Sequence, residues 1–185
     1  MKTLPTIQLE RLTLRPFSLD DAQAVQAMAG DPYVAEMTMN IPHPYEDGMA
    51  EGWIQTHLDH FNEERSLQLA IVLSEEQQLI GAIGIAINKK FAHGELGYWI
   101  GKSYINHGYC TEAARGIVKY AFTELNLHRV YACHLGKNPA SGKVMEKLGM
   151  KYEGLLRQHI RKWDQFEDLV HYGLLKDEFL LSSHD

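Results

Sequence analysis

Between Glu95 and Asn126 the chain changes its hydrophobic period abruptly, and this constrains the fold more than any other feature. Glu95-Leu96-Gly97-Tyr98-Trp99-Ile100-Gly101 reads as an extended strand. From residue 111 to 126 the apolar residues Ala114, Ile117, Val118, Ala121, Phe122 and Leu125 recur at helical spacing, so this segment reads as an amphipathic helix. The connection is Asn106-His107-Gly108-Tyr109-Cys110-Thr111. A glycine-bearing loop that opens a helix just after a strand leaves several backbone N–H groups without intrahelical partners. Those donors point outward at the positive end of the helix dipole. The pattern predicts an anion site, most often for phosphate. A pyrophosphate bound there would imply a nucleotide-containing cofactor.

The remaining elements can be placed around this unit. Residues 6–16 alternate and read as a strand that stops at Pro16. Ser18 and Asp21 resemble a capping box that opens a helix to about Met28, and Gly30-Asp31-Pro32 breaks it. A second helix is predicted from Tyr45 to about Glu64, with Met49, Trp53, Ile54, Leu58 and Phe61 near helical spacing. Strands follow at 66–73 and 79–87, joined by Ser74-Glu75-Glu76-Gln77-Gln78 as a hairpin. After the helix at 111–126 comes a strand from His128 to Leu135. A short helix then starts at Asn138-Pro139-Ala140-Ser141 and ends at Gly149. Two last strands, about 151–162 and 167–176, flank Trp163-Asp164-Gln165-Phe166. Strands and helices do not alternate throughout, so the order predicts a mixed α+β sheet rather than a doubly wound one.

Bulk properties narrow the function classes. At 185 residues, without repeats or linker-like stretches, the chain reads as one domain spanning 1–185. No apolar run approaches the ~20 residues that span a bilayer. Met1 to Arg15 alternates without the apolar core of a signal peptide. Cys110 and Cys133 are the two cysteines and form no framework, which predicts a reducing, cytoplasmic setting. The formal net charge of −6 argues against nucleic acid as a main partner. The ten histidines are scattered without ligand spacing, so no metal is expected.

Several segments in this order are similar to the GNAT superfamily of N-acetyltransferases, and most of all to the branch that includes the bacterial ribosomal-protein N-terminal acetyltransferases. Glu10-Arg11-Leu12-Thr13-Leu14-Arg15-Pro16 resembles the opening strand of the family and Gly94-Glu95-Leu96-Gly97-Tyr98-Trp99-Ile100 its central strand. Gly108-Tyr109-Cys110-Thr111-Glu112-Ala113 resembles the acetyl-CoA pyrophosphate loop. Asn138-Pro139-Ala140-Ser141 through Lys147-Leu148-Gly149-Met150 resembles the late cofactor-contacting helix, and Glu153-Gly154 completes the pattern. The likeness runs from about residue 7 to 178. It implies a single-domain, mostly antiparallel twisted sheet flanked by helices and splayed at the central strand. Two positions depart from the family loop. Ile105 stands where a Gln or Arg is frequent, and Cys110 where a Gly or Ala is frequent.

The resemblance implies acetyl-CoA as cosubstrate and direct attack by an acceptor amine. Glu95 aligns with a strand glutamate that serves as general base in some members. The other reading is a surface glutamate at a strand start. Ser141 corresponds to a serine assigned to holding the leaving thiolate; its other reading is a helix-start residue bonding backbone. Cofactor contacts are expected at Asn106, His107, Gly108, Tyr109, Cys110 and Thr111, through the backbone at Trp99, Ile100 and Gly101, and at Asn138, which also suits a helix cap.

The acceptor end falls on residues 31–64 and the last hairpin. Glu46, Asp47, Glu51, Asp59, Glu63 and Glu64, with Tyr33, Tyr45 and Trp53, would make an acidic, aromatic rim suited to a cationic amine or basic peptide N-terminus. An ordinary solvated helix face is the other reading. The resemblance leaves the acceptor open between a protein N-terminal α-amine and a small-molecule amine, and allows a homodimer. A non-catalytic acyl-CoA-binding sensor is the second functional class.

Overall fold

The computed structural model describes residues 3–182, so the outermost bounds of the 1–185 domain reading lie outside the described residues. The elements are β1 (Ile7–Gln8), β2 (Leu12–Arg15), α1 (Ala22–Ala29), α2 (Pro32–Glu36), α3 (Met49–Gln55), α4 (His57–Asn62), β3 (Ser66–Leu73), β4 (Gln78–Asn88), β5 (His93–Ile100), α5 (Tyr109–Thr123), β6 (Arg129–Leu135), α6 (Pro139–Lys147), β7 (Lys151–Lys162), β8 (Gln165–Leu175) and α7 (Lys176–Ser182). The strands form one eight-stranded sheet in the order β1-β2-β3-β4-β5-β6-β8-β7. Among the described residues every pairing is antiparallel except β5 with β6. The mixed α+β sheet expected from the sequence is therefore present.

That parallel pair is incomplete. Register between β5 and β6 runs from His93↔Arg129 to Leu96↔Ala132 and stops. Yet β5 stays paired to β4 as far as Ile100, and β6 stays paired to β8 as far as Leu135. The sheet thus opens between Gly97–Ile100 and Cys133–Leu135. Gly101 N–H donates to the Ile80 carbonyl at 2.8 Å. Antiparallel alternation then turns the main-chain groups of Trp99 toward β4 and those of Tyr98 and Ile100 toward the opening.

Two apolar clusters lie on opposite sides of the sheet. The larger joins the α5 stripe, including fully buried Ile117, Val118 and Phe122, to Leu12, Leu14, Leu67, Leu69, Ile83, Ile85 and Leu96. Burying a side chain of that size stabilises the fold by about 1.5–3 kcal/mol. This anchors α5 with its N-terminus at the mouth of the opening. The smaller joins Val25 and Ala29 of α1 and Ala50 and Ile54 of α3 to Ala70, Val72 and Leu79, with Trp53 and Trp99 packed against it.

Four expectations need correction. The run at 6–16 is two strands folded on each other, with Ile7 opposite Leu14 and Leu9 N–H bonded to the Leu12 carbonyl at 2.8 Å. Pro32 starts a further helix, α2, because Asp31 accepts the Tyr33 N–H at 2.8 Å and fixes its N-terminus. The predicted 45–64 helix starts only at Met49 and breaks at Thr56, whose hydroxyl and N–H both bond the Trp53 carbonyl in a tight turn. The final strand ends at Leu175, where Glu178 accepts the Leu175 N–H at 3.0 Å and opens α7.

Candidate active site

The opening in the sheet continues into a cleft of about 900 Å³. One end is the loop before α5. Asn106 and Gly108 both take left-handed backbone angles, φ 66° and 79°. Alternating backbone hand of this kind turns consecutive N–H groups to one side, and the α5 N-terminus adds its own. Gly108 is the residue before the first helical turn, and a Cβ there would meet only the Arg11 guanidinium, at 3.5 Å.

Arg11 holds this loop. Its backbone N–H and Nε donate to the two Glu112 carboxylate oxygens at 2.8 Å each, and its Nη1 donates to the His107 carbonyl at 3.0 Å. Its guanidinium lies 4.8 Å from the centre of the Tyr109 ring. The His107 ring stacks on Tyr109 with centroids 5.5 Å apart, and its Nδ1 lies 2.8 Å from the Ile105 carbonyl oxygen. Arg11 neutralises Glu112, the carboxylate nearest the helix N-terminus. Lys147 lies beside Gly108 and Thr111, Lys143 also lines the cleft, and Arg115 donates to the Lys147 carbonyl at 3.1 Å, tying α5 to α6. A chain of negative net charge is therefore basic where an anion would sit.

Along the opening, Ser141 lies in the first turn of α6. Pro139 starts that helix, and Asn138 caps it by accepting the Ser141 N–H at 3.3 Å. The other end of the Asn138 carboxamide donates to the Met37 carbonyl at 3.0 Å. Ser141 Oγ is 2.9 Å from the Tyr98 hydroxyl, which also donates to the Ser141 carbonyl at 3.1 Å. Burial drives the Tyr98 phenol far above its ordinary value, the neighbouring Cys110 adds to this, and the bond to Ser141 offsets only part. Cys110 is pushed up to about 12 by burial, which overrides the thiolate-favouring helix N-terminus.

Glu95 lies on the other face of β5 from Tyr98, beside β6, and lines the cleft. It accepts a hydrogen bond of 3.2 Å from Tyr131, its register partner. Tyr131 is pushed up to about 12, by burial first and then by the Glu95 charge, so it remains a donor. Next along β6, Cys133 lies 3.1 Å from His171 Nδ1.

Glu95, Ser141, Trp99, Ile100, Asn106, Gly108, Tyr109, Cys110, Thr111 and Asn138 all border this one cleft. The expected backbone contacts at Trp99 and Gly101 need correction: the main-chain groups of Trp99 and the Gly101 N–H face β4, and Gly101 does not border the cleft but packs below, where a Cβ would lie 2.8 Å from Met28 Sδ. His107 does not border it either. Tyr33, Tyr45 and Trp53 line its far end, but none of the six acidic residues between Glu46 and Glu64 does. Asp47 accepts from Gln26 at 2.7 Å, Glu63 pairs with Arg65, and Glu64 with Lys89. Sequence reasoning missed Arg11 and Tyr131, which act through spatial partners far along the chain. Tyr98 carried a signal, since it stands on the central strand beside the splay.

An incomplete parallel pair with a glycine-capped helix N-terminus at its mouth defines an α+β fold whose cleft suits an anion-bearing ligand. The family model described as acetyltransferase (GNAT) domain matches residues 11–151, and the chain belongs to the GNAT acetyltransferases. It is 33% identical to the uncharacterized N-acetyltransferase p20 of Bacillus licheniformis, over 95% of this chain and 99% of that one. A solved GNAT-family acetyltransferase from Bacillus anthracis superposes with a TM-score of 0.82 at 28% identity, covering 94% of this chain and all (100%) of the other. A more distant relative is the ribosomal protein uS5-alanine N-acetyltransferase of Escherichia coli, 26% identical over 52% of this chain and 50% of that one. The protein is an N-acetyltransferase of a family that uses acetyl-CoA. Among the described residues, no helix is long and apolar enough to cross a membrane, and no group of three or more His, Cys, Asp or Glu side chains is arranged to hold a metal ion.

Proposed function

We propose that the cleft binds acetyl-CoA and moves its acetyl group to a primary amine by direct attack, with Glu95 as general base and Ser141 as the donor to the leaving sulfur. The observation that carries this reading is the common cleft: Glu95, Ser141 and the Gly108 loop border one opening in the sheet. The residues fit the cosubstrate. Gly108, which carries no side chain, the N-terminus of α5 and Lys147 beside them suit phosphates. The main-chain groups of Tyr98 and Ile100, left unpaired by β6, suit the amides of a pantetheine arm as an added strand would. Ile105 removes a side-chain donor from the loop, but a backbone cradle does not depend on it. Acetyl-CoA supplies the acetyl group as a thioester.

The chain's own residues then have two tasks. Glu95 takes a proton from the ammonium so that the neutral amine attacks. For an alkylamine of pKa ~10.4 this costs roughly 4–5 kcal/mol at pH 7, and for an α-amine near ~8 about 1 kcal/mol. Ser141 Oγ–H donates to the sulfur as the C–S bond breaks, while Tyr98 bonds the Ser141 carbonyl and holds the residue in place. The N–C bond forms as the C–S bond breaks, with no covalent enzyme intermediate. The nitrogen then gives up its surplus proton to the leaving CoA thiolate, so the products are the amide and the free thiol, and Ser141 keeps its proton. Cys110, held neutral by burial, takes no part.

The test is calorimetric titration of the full chain with acetyl-CoA, followed by thiol release with a broad amine panel. Micromolar binding and amine-dependent thiol release are expected. Binding with turnover unchanged in both Glu95→Gln and Ser141→Ala would remove these roles.

A further inference from the structure

The far end of the cleft has a chemistry that restricts the acceptor. Met39, Ile41, Tyr45, Met49, Trp53 and Trp99 line it. Among the described residues, Glu95 is the one carboxylate on the lining of the whole cleft. Between Glu95 and Trp99, on the same face of β5, stands Gly97, where an added Cβ would meet nothing within 4 Å. Its register partner Gly84 is covered by the Gln68 side chain, whose Oε1 would lie 2.1 Å from an added Cβ. The floor is therefore open, with one neutral carboxamide beside it. The roof is fixed from behind: Asn138 bonds the Met37 carbonyl, and the buried ammonium of Lys162 bonds the Ile41 carbonyl at 2.7 Å.

We infer that the acceptor is a primary monoamine carrying a bulky, ring-bearing apolar body, with its ammonium at Glu95 and its body between Trp53, Trp99 and the methionines. The inference deepens the reading above and rests on the reacting amine lying at Glu95. A tryptophan pair gives flat apolar contact, and methionines adapt to irregular shapes. A second ammonium, as in a polyamine, would be desolvated there with no carboxylate to receive it. The positive charge of Lys162 behind the roof would repel it further. The acidic rim read from the sequence supplies no such carboxylate, because those side chains lie off the cleft.

The protein saturated with CoA is titrated with 2-phenylethylamine, with a peptide beginning with phenylalanine, and with spermidine, following tryptophan fluorescence. Trp53 and Trp99 lie in the pocket, and the third tryptophan, Trp163, lies outside it. Thiol release from acetyl-CoA is measured with the same three amines. One or both phenyl-bearing amines are expected to quench saturably at concentrations at least tenfold below spermidine, and to exceed it at least tenfold in kcat/KM. Which of the two leads separates a free amine from a peptide N-terminus. Met49→Glu, which adds a carboxylate at the pocket, is expected to shift the preference toward spermidine at least tenfold, and acetyl-CoA titration verifies that this variant is folded. Glu95→Gln should keep the order of quenching whatever it does to turnover, so failure of the base assignment is read separately. Equal or stronger quenching and turnover with spermidine would overturn the inference.

Discussion

The Tyr98 hydroxyl lies 2.9 Å from Ser141 Oγ and 3.1 Å from the Ser141 carbonyl oxygen, so the central strand and the α6 start meet at one serine. Burial keeps the phenol protonated. When the phenol donates to Ser141 Oγ, the serine hydroxyl is free to turn its own proton into the cleft. Ser141→Ala is expected to lower kcat about 10–100-fold, with acetyl-CoA affinity within threefold of the parent. Tyr98→Phe should cost less, and the double variant no more than Ser141→Ala, because the two act as a unit. Steady-state thiol release and calorimetry on all three variants check this. A lowered melting midpoint with unchanged kcat would reduce Ser141 to a helix-start residue.

Gly108 separates conformation from charge. Its φ of 79° strains any side chain, by about 1 kcal/mol for alanine, although an added Cβ would meet only the Arg11 guanidinium, at an ordinary contact distance of 3.5 Å. Gly108→Ala should therefore weaken acetyl-CoA binding only several-fold. Gly108→Asp adds a negative charge where the phosphates are proposed to sit, and a loss of at least 100-fold is expected by calorimetry. Equal losses in the two variants would mean that the loop shape, and not anion binding, was being measured.

The strands and helices around the opening were legible because their periods are strong and local: the α5 stripe, the β3–β4 hairpin and the Pro139 helix start all appear within a few residues of their expected bounds. The errors share a cause. Thr56 breaks a helix through one side-chain bond to Trp53, and Leu9 turns a continuous alternation into a hairpin. Neither leaves a mark on hydrophobic spacing. At the site, Gly108 and Ser141 carried local signatures, whereas Arg11 earns its place only through Glu112, 101 residues away. The acidic composition of 46–64 left two readings open, a rim for a cationic amine and a solvated face, because composition does not say which helix face the charges occupy; none of those carboxylates borders the cleft.

Glu95 offers a kinetic reading of acceptor class. If the acceptor is an alkylamine, removing the base leaves only the small neutral fraction of amine at neutral pH. Glu95→Gln should then lower kcat/KM at least tenfold at pH 7.5, with the loss shrinking as pH rises. If the acceptor is an α-amine, with pKa ~8, the loss at pH 8.5 should be under threefold. Profiles of kcat/KM from pH 6.5 to 9.5 for parent and variant distinguish the two. A pH-independent loss would instead mark Glu95 as structural, through its bond to Tyr131.

His57 makes the fold sensitive to acid on the acceptor side. Its ring is buried against Phe17 and Trp53, and among the described residues neither ring nitrogen has a hydrogen-bond partner. Burial, with a smaller contribution from His60, lowers its pKa to about 4. The unfolded chain binds this proton near ~6.5. The folded state therefore keeps its full stability above that value, loses it as pH falls from 6.5 toward 4, and loses no more below. The whole interval is worth roughly 3–4 kcal/mol, of which about 2–3 kcal/mol falls between pH 7 and pH 4.5. Unfolding free energies from urea titration of the parent should fall between pH 7 and pH 4.5, while those of His57→Phe, which keeps the aromatic contact and cannot titrate, should fall less by about 2–3 kcal/mol. Because Trp53 lines the cleft, acceptor KM in the parent is expected to rise over the same pH interval. Parallel pH profiles of stability in parent and variant would show that His57 does not carry the dependence.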